Sequence, residues 1–310
     1  MKKINTNNAL EIDIGGLKLA NPVMTASGTF GYTQECRELI SVSELGAVIT
    51  KSITLQPSPG NRPPRLWETT AGLLNAIGIQ NEGLDDFVHS KLPLLKSAGT
   101  RIVASIAGVC RQDYEALAKA LDATDVDAIE VNISCPNIEH KSPTTLFAQD
   151  PYTTSCIIRS VKKQTDKPVI AKLSPNVTDI GLIARAAEKA GADAVSMINT
   201  LIGMDVDIAR GKPRLGNITG GLSGPAIKPV ALAMVWQAYH RVKIPIIGIG
   251  GIMSTEDAIA FFLCGASAVQ IGTANFVDPA AASNIIRGLR LYLKNRGMKN
   301  IRELIGQLKV

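Results

Sequence analysis

Of the five thiols in this 310-residue chain, Cys135 is the one placed to do proton chemistry. It sits in Asn132-Ile-Ser-Cys-Pro-Asn137, just past a hydrophobic run, before a proline that stops regular structure, at the head of a loop reaching to Asp150. A thiol with an ordinary pKa near ~8.5 serves as a base around neutrality once slightly activated. The competing reading, a small apolar core residue, suits Cys36, Cys110, Cys156 and Cys264, which fall in helical or mid-run contexts. Lys51 and Lys172 also close hydrophobic runs. An unpaired ammonium in a buried strand is expensive, so two lysines at equivalent positions point to a site rather than to packing. Gly248-Ile-Gly-Gly251 and Gly272-Thr273 suit a phosphate, because glycine lets backbone N–H groups approach an anion; a helix start at Ser254 adds its positive dipole end. At this level the phosphate belongs equally well to a substrate or to a cofactor.

The elements that must position these groups recur in pattern. Short Val/Ile/Ala-rich runs lie at Pro22–Ser27, Ala47–Ser52, Ile102–Ile106, Ala128–Ser134, Val169–Ser174, Ala194–Asn199, Ile246–Gly250 and Ala268–Thr273. Their hydrophobicity is continuous rather than alternating, as strands buried on both faces require. Helical signals separate them: Asp179–Gly191, Tyr114–Leu121, Pro225–His240, and a capping-box-like Ser254-Thr-Glu-Asp257 before an apolar run ending at Gly265. Eight strand–helix units predict an α/β fold closed as a (β/α)₈ TIM barrel, a single domain over residues 1–310. Active sites of such barrels lie at the C-terminal strand ends. Those ends carry Ser27, Lys51, Ser105, Asn132 with Cys135, Lys172, Asn199, Gly250-Gly251 and Gly272-Thr273. Gly15-Gly16 between Leu10–Ile14 and Leu17–Leu19 predicts an N-terminal β-hairpin. The connections after the second and sixth runs are long, one proline-rich and one glycine-rich and irregular, and are expected to form lids or binding surfaces.

Bulk properties set the remaining bounds. With 45% hydrophobic and 19% charged residues the chain can bury a large core and is not disordered. No apolar stretch approaches the ~20 residues of a membrane span, and Lys2 and Lys3 are followed by polar residues rather than a signal-peptide core, so a cytoplasmic protein is expected. Seven basic residues after Ile285 against the single Glu303 account for the whole net charge of +6. They predict the solvated face of a C-terminal helix whose apolar side carries Ile286, Leu289 and Leu293. Neither nucleic acid nor membrane is expected as a partner. The cysteines, odd in number and without a C-x-x-C pair, exclude a disulfide framework, a structural zinc and an iron–sulfur cluster held by this chain, and no metal is expected.

Taken together, Lys51-Ser-Ile-Thr54, Leu74-Asn-Ala-Ile-Gly78, Asn132-Ile-Ser-Cys-Pro-Asn137, Lys172-Leu-Ser-Pro-Asn176, Ile198-Asn-Thr200, Gly220-Gly-Leu-Ser-Gly-Pro225, Gly248–Gly251 and Gln270-Ile-Gly-Thr273 resemble the signature set of the dihydroorotate dehydrogenase family. The resemblance runs from about Leu10 to the C-terminus. A cysteine as base and the stretch Asn199–Pro225 resemble the class 1B catalytic subunits. This implies oxidation of dihydroorotate to orotate in pyrimidine biosynthesis, with Cys135 taking the C5 proton while hydride passes from C6 to N5 of FMN. It implies a flavin phosphate on Gly250, Gly251, Gly272 and Thr273, with further contacts from Ser27, Lys51, Ser52, Ser105, Asn132, Lys172, Ile198 and Gly224. It places the substrate against Lys51, the stretch Asn75, Ala76, Ile77, Gly78 and Ile79, and Asn132, Asn199 and Thr200, a set matched to a carboxylate and a ring of amides. Lys172 would stabilise the negative charge that develops on the reduced flavin. The resemblance further implies a catalytic homodimer joined to an FAD and iron–sulfur subunit in a heterotetramer that passes electrons to NAD.

Two positions depart from the family pattern. Ser105 stands where an asparagine usually faces the flavin, and the loop Ile138–Ala148 lacks the usual Gly-Gly and Phe-Gly pairs, which predicts altered closure. Three other functions share parts of the pattern. A dihydropyrimidine dehydrogenase-like flavoenzyme acting on uracil or thymine shares the chemistry, although Lys51 favours a carboxylated substrate. A lyase or aldolase would use a barrel lysine as a Schiff base. A non-catalytic flavoprotein would serve to dock partners.

Overall fold

The computed structural model of the chain describes residues 9–32, 40–134 and 147–309; Cys36, Cys135 and most of the loop 138–148 lie outside these. The hairpin is present as β1 (Ile12–Ile14) and β2 (Leu17–Leu19), paired antiparallel. Gly15 and Gly16 both take positive φ, and a Cβ on Gly15 would fall 2.2 Å from the carbonyl oxygen of Asp193. The hairpin therefore packs where a barrel strand begins, at the end opposite the strand termini that carry chemistry.

All eight hydrophobic runs become parallel barrel strands: β3 (Val23–Thr25), β4 (Ala47–Ile49), β7 (Arg101–Ile106), β8 (Ala128–Asn132), β9 (Val169–Lys172), β10 (Ala194–Met197), β15 (Ile246–Ile249) and β16 (Ala268–Ile271). They close in chain order, β16 pairing β3. Nearly every strand residue is buried, as the unbroken hydrophobicity requires. Full burial of each Val, Leu or Ile side chain contributes about 1.5–3 kcal/mol. Most of the runs outlast their strands by one to three residues, which frees Lys51, Ser52, Ser134 and Asn199 from the ladder at one end of the barrel.

The outer helices follow their signals. The helix Ile180–Lys189 starts at Asp179, whose carboxylate accepts the Leu182 N–H at 3.2 Å, and buries Ile180, Ile183, Ala184 and Ala187 on one face. Gly191 follows it with φ +100°. Ser254 and Asp257 form the predicted capping box of the helix Thr255–Leu263. The helix Ala281–Arg296 buries Ile285, Ile286, Leu289 and Leu293, and its arginines and lysines face solvent. Cys264 is buried, and burial pushes its thiol up. Cys110 corrects the core expectation: it is exposed at the N-cap of the helix Arg111–Asp122, in the turn that leaves β7.

The long connections are more ordered than their composition predicts. The second contains β5 (Leu66–Thr69) and β6 (Gly72–Asn75). The sixth, expected to be irregular, contains β11 (Leu201–Gly203), β12 (Val206–Asp207), β13 (Lys212–Pro213) and β14 (Gly220–Ser223). These segments pair across the chain in a four-stranded sheet of order β11-β14-β6-β5. Its glycines mark close approach rather than looseness. A Cβ on Gly72 would lie 2.0 Å from the Ser223 carbonyl oxygen, and one on Gly221 would lie 2.0 Å from Thr200 Oγ1.

Candidate active site

The strand ends and the accessory sheet enclose a cavity of about 350 Å³. Lys51, Lys172, Asn75, Gln80, Asn132 and Asn199 reach it, and no carboxylate lines it among the described residues. Two ammonium groups and four amides without an acid make a receptor for anionic and amide-bearing ligands. Leu66, Leu73, Ile77, Ile79, Ile198 and Ile227 give it apolar walls suited to a ring system.

Its floor is a hydrogen-bonded cluster centred on Ser52. The Ser52 hydroxyl lies 2.9 Å from that of Ser105 and 3.3 Å from that of Ser27, and accepts from Asn132 Nδ2 at 3.0 Å. Four neighbouring strands thus fix one another at this end of the barrel. Ser27, Ser52 and Asn132 line the cavity, whereas Ser105 is fully buried beneath Ser52 and touches it only indirectly.

Asn132 also connects to the opposite wall. Its Oδ1 accepts from Ser134 Oγ at 3.1 Å, and Ser134 Oγ accepts from Asn199 Nδ2 at 2.9 Å. Asn199 Oδ1 in turn accepts the Thr200 N–H at 2.7 Å. Both asparagine side chains are therefore held before any ligand arrives. Asn75, the last residue of β6, donates to the Gly221 carbonyl at 3.2 Å, so the accessory sheet sets its position. Ile77 and Ile79 line the cavity. Ala76 is fully buried behind it, and Gly78 faces a second cavity between residues 54–58 and 107–113. Ile79 adopts φ +52°, costly for a β-branched residue, and lines both cavities.

At the other end Gly224, Gly250, Gly251, Gly272 and Thr273 converge. Gly250 and Gly251 have φ of +123° and +72°, which favours glycine, and a Cβ on Gly251 would lie 2.7 Å from Lys228 Cβ. Thr273 Oγ1 donates to Ser223 Oγ at 2.8 Å. Behind this turn Lys228 donates to Asp257 at 2.5 Å. Burial alone would raise Asp257, but the hydrogen bond and charge of Lys228 and the N–H groups of Met253 and Ser254 outweigh it and hold the carboxyl below its ordinary range.

The sequence reading missed Glu130. It is fully buried inside the barrel, where Oε2 accepts from Gln270 Nε2 at 2.7 Å and Ser196 Oγ at 3.0 Å, and Oε1 lies 3.5 Å from Lys172 Nζ. The signal was a glutamate inside the apolar run Ala128–Ser134. Asn176 closes the Lys172-Leu-Ser-Pro-Asn176 motif. It donates to the Thr200 carbonyl at 3.2 Å and accepts the Ile202 N–H at 3.0 Å, which ties the accessory sheet to β9. Cys135 lies outside the described residues, and Ser134, directly before it, is at the site.

A family model described as dihydroorotate dehydrogenase matches residues 9–293. Proteins named dihydroorotate dehydrogenase B (NAD(+)), catalytic subunit, are similar throughout. The one from Trichlorobacter lovleyi is 52% identical over 97% of this chain and 99% of its own length. Those from Geobacter sulfurreducens and Caldicellulosiruptor bescii are 51% and 50% identical, each over 97% of this chain and 98% and 99% of their own. With a matching family model and about half of all residues shared end to end, the chain belongs to the dihydroorotate dehydrogenase family.

Proposed function

We propose that this chain oxidises dihydroorotate to orotate for pyrimidine synthesis, as the FMN-binding catalytic subunit of an NAD-linked enzyme. The observation that carries the reading is the lining of the cavity: among the described residues, two lysines, four amides and no acid, with a glycine turn at one end. Orotate needs a cation for its carboxylate and amides for its ring, and the flavin phosphate needs backbone N–H groups and a hydroxyl. The donor set fits both.

In this mechanism Lys51 neutralises the substrate carboxylate, while Asn75, Asn132, Asn199 and Thr200 orient the ring by paired hydrogen bonds. The preformed Asn132–Ser134–Asn199 chain means that little ordering remains to be done on binding. Ser27, Ser52, Ile198 and Gly224 hold the cofactor ring and ribityl region. Gly250, Gly251, Gly272 and Thr273 hold its phosphate. Cys135 takes the C5 proton, and its thiolate character sets the pH at which this becomes efficient. FMN, when bound, supplies the acceptor for the C6 hydride. Lys172 places positive charge where negative charge accumulates.

The relatives' names specify a catalytic subunit and NAD(+), which supports electron exit to NAD through a second subunit; in our reading that subunit carries FAD and an iron–sulfur cluster and joins a dimer of this chain in the cytoplasm. No helix among the described residues is long and apolar enough to cross a membrane. Anaerobic titration tests the reading: dihydroorotate should bleach the yellow protein, and Cys135→Ala should slow bleaching by at least the 10²-fold typical of a lost general base. Bleaching by dihydrouracil in place of dihydroorotate would transfer the assignment to a pyrimidine-base dehydrogenase.

A further inference from the structure

Glu130 and Lys172 are the only charged side chains buried among the described residues, and they face each other inside the barrel. Burying an ion pair there has no stabilising rationale, because desolvation of two charges offsets their attraction and apolar side chains fill such a layer better. The two ends of the pair are also unlike. Lys172 lines the cavity, whereas Glu130 does not and is held by Ser196 on β10 and Gln270 on β16, two and four strands away around the barrel. Those two bonds both fall on Oε2. Among the described residues Oε1 has no hydrogen-bond partner and faces the ammonium, 3.5 Å away. The carboxylate is thus a fixed negative charge behind a cavity cation, aimed by side chains that never reach the ligand.

We propose that Glu130 is a positioning residue that holds the Lys172 ammonium at the cavity floor and offsets its charge, and so sets how strongly the site favours an electron-rich flavin. This rests on the reading that FMN lies beside Lys172. With Glu130 in place, the positive field on the ring is that of a pair rather than of a lone lysine. Removing the carboxylate leaves more net positive charge beside the ring and favours the reduced, anionic form.

The probe is sulfite, which adds to the oxidised flavin ring and leaves a negative charge on it, so its affinity reports the same field without turnover. In FMN-loaded protein below neutral pH, Glu130→Gln should lower the sulfite dissociation constant about tenfold. The midpoint potential should rise by about 30 mV, the two-electron equivalent of tenfold. The glutamine keeps the size of the side chain and can still bond Ser196 and Gln270. Glu130→Asp keeps the charge but withdraws it from Nζ; it should give a shift of the same sign of about twofold to threefold, and it decides the matter if the glutamine variant does not fold. In a Lys172→Gln background the ring keeps only the carboxylate's negative field, so sulfite affinity should fall well below that of the wild type, and adding Glu130→Gln should restore part of it. An unchanged or weakened sulfite affinity in a folded, FMN-loaded Glu130 variant overturns the proposal, as does a Lys172→Gln protein that binds sulfite as tightly as the wild type. Wild-type protein that fails to bind FMN defeats the functional reading instead, so the two failures are distinguishable.

Discussion

At the scale of single residues, the site is a set of side chains that arrive already bonded to one another. Asn132 is held through Ser52 and Ser134, Asn199 through Ser134, and Asn75 through Gly221. Lys51 is the group assigned to the substrate carboxylate, so Lys51→Met should lower kcat/KM for dihydroorotate by about 10- to 100-fold, the ~1.5–3 kcal/mol of a hydrogen bond to a charged group. An unchanged kcat/KM would place the carboxylate elsewhere. Asp257 offers a test by pH. Its carboxyl is held below its ordinary value in the fold, so its stabilisation is complete above the unfolded value near ~3.9 and is lost as pH falls through the folded one. Asp257→Asn should therefore cost about 1 kcal/mol at neutral pH, the usual worth of a helix cap, and the difference should shrink in acid. Denaturant melts at neutral and acid pH measure this, and a gap that persists in acid would assign the loss to packing.

At the scale of elements, the barrel strands and the accessory sheet were unequally legible. The barrel runs announce themselves because a strand covered on both faces must be apolar throughout, and the strand-end rule then picks out Lys51, Asn132, Lys172 and Asn199 without further knowledge. The accessory strands carry no such mark. Gly220–Ser223 and Leu201–Gly203 are too short and too rich in glycine to show period-two alternation, and their partners are distant: Asn75 pairs with Gly221, 146 residues away. Glu130 was hidden for the opposite reason. It sits inside a segment whose apolar neighbours dominate the pattern, and only the placement of Gln270 and Ser196 opposite it reveals its role. Gly221 tests the sheet itself. A Cβ there has no room against Thr200, so Gly221→Ala should loosen β11, β14 and β6 together. Cleavage within residues 201–219 by a protease should speed up and KM should rise as Asn75 loses its anchor, while the barrel keeps its melting temperature to within a few degrees. A fall in melting temperature as large as that of a core substitution would show that the sheet is part of the barrel's cooperative unit.

At the scale of the whole molecule, one continuous core joins the hairpin, the barrel and the surrounding helices. Unfolding should be a single transition. Saturating FMN should raise stability by about 2.7 kcal/mol at a hundred times its dissociation constant, because only the folded barrel assembles the two ends of the cavity. Two separable transitions in calorimetry, with only one responding to FMN, would contradict this. The basic C-terminal face takes no part in the cavity, and its arginines and lysines lie exposed to solvent, as their spacing predicts. The central claim is spatial: one cavity at the strand ends holds the flavin with its phosphate at the β15–β16 turn and the substrate between Lys51 and the asparagines. A crystal structure of the FMN-loaded protein soaked with orotate tests it most directly. Density for the phosphate against Gly250, Gly251 and Thr273, with the orotate ring within hydrogen-bond reach of Asn75, Asn132 and Asn199, is the predicted result. A flavin lying in the reverse sense, or orotate in the cavity between residues 54–58 and 107–113, would contradict it.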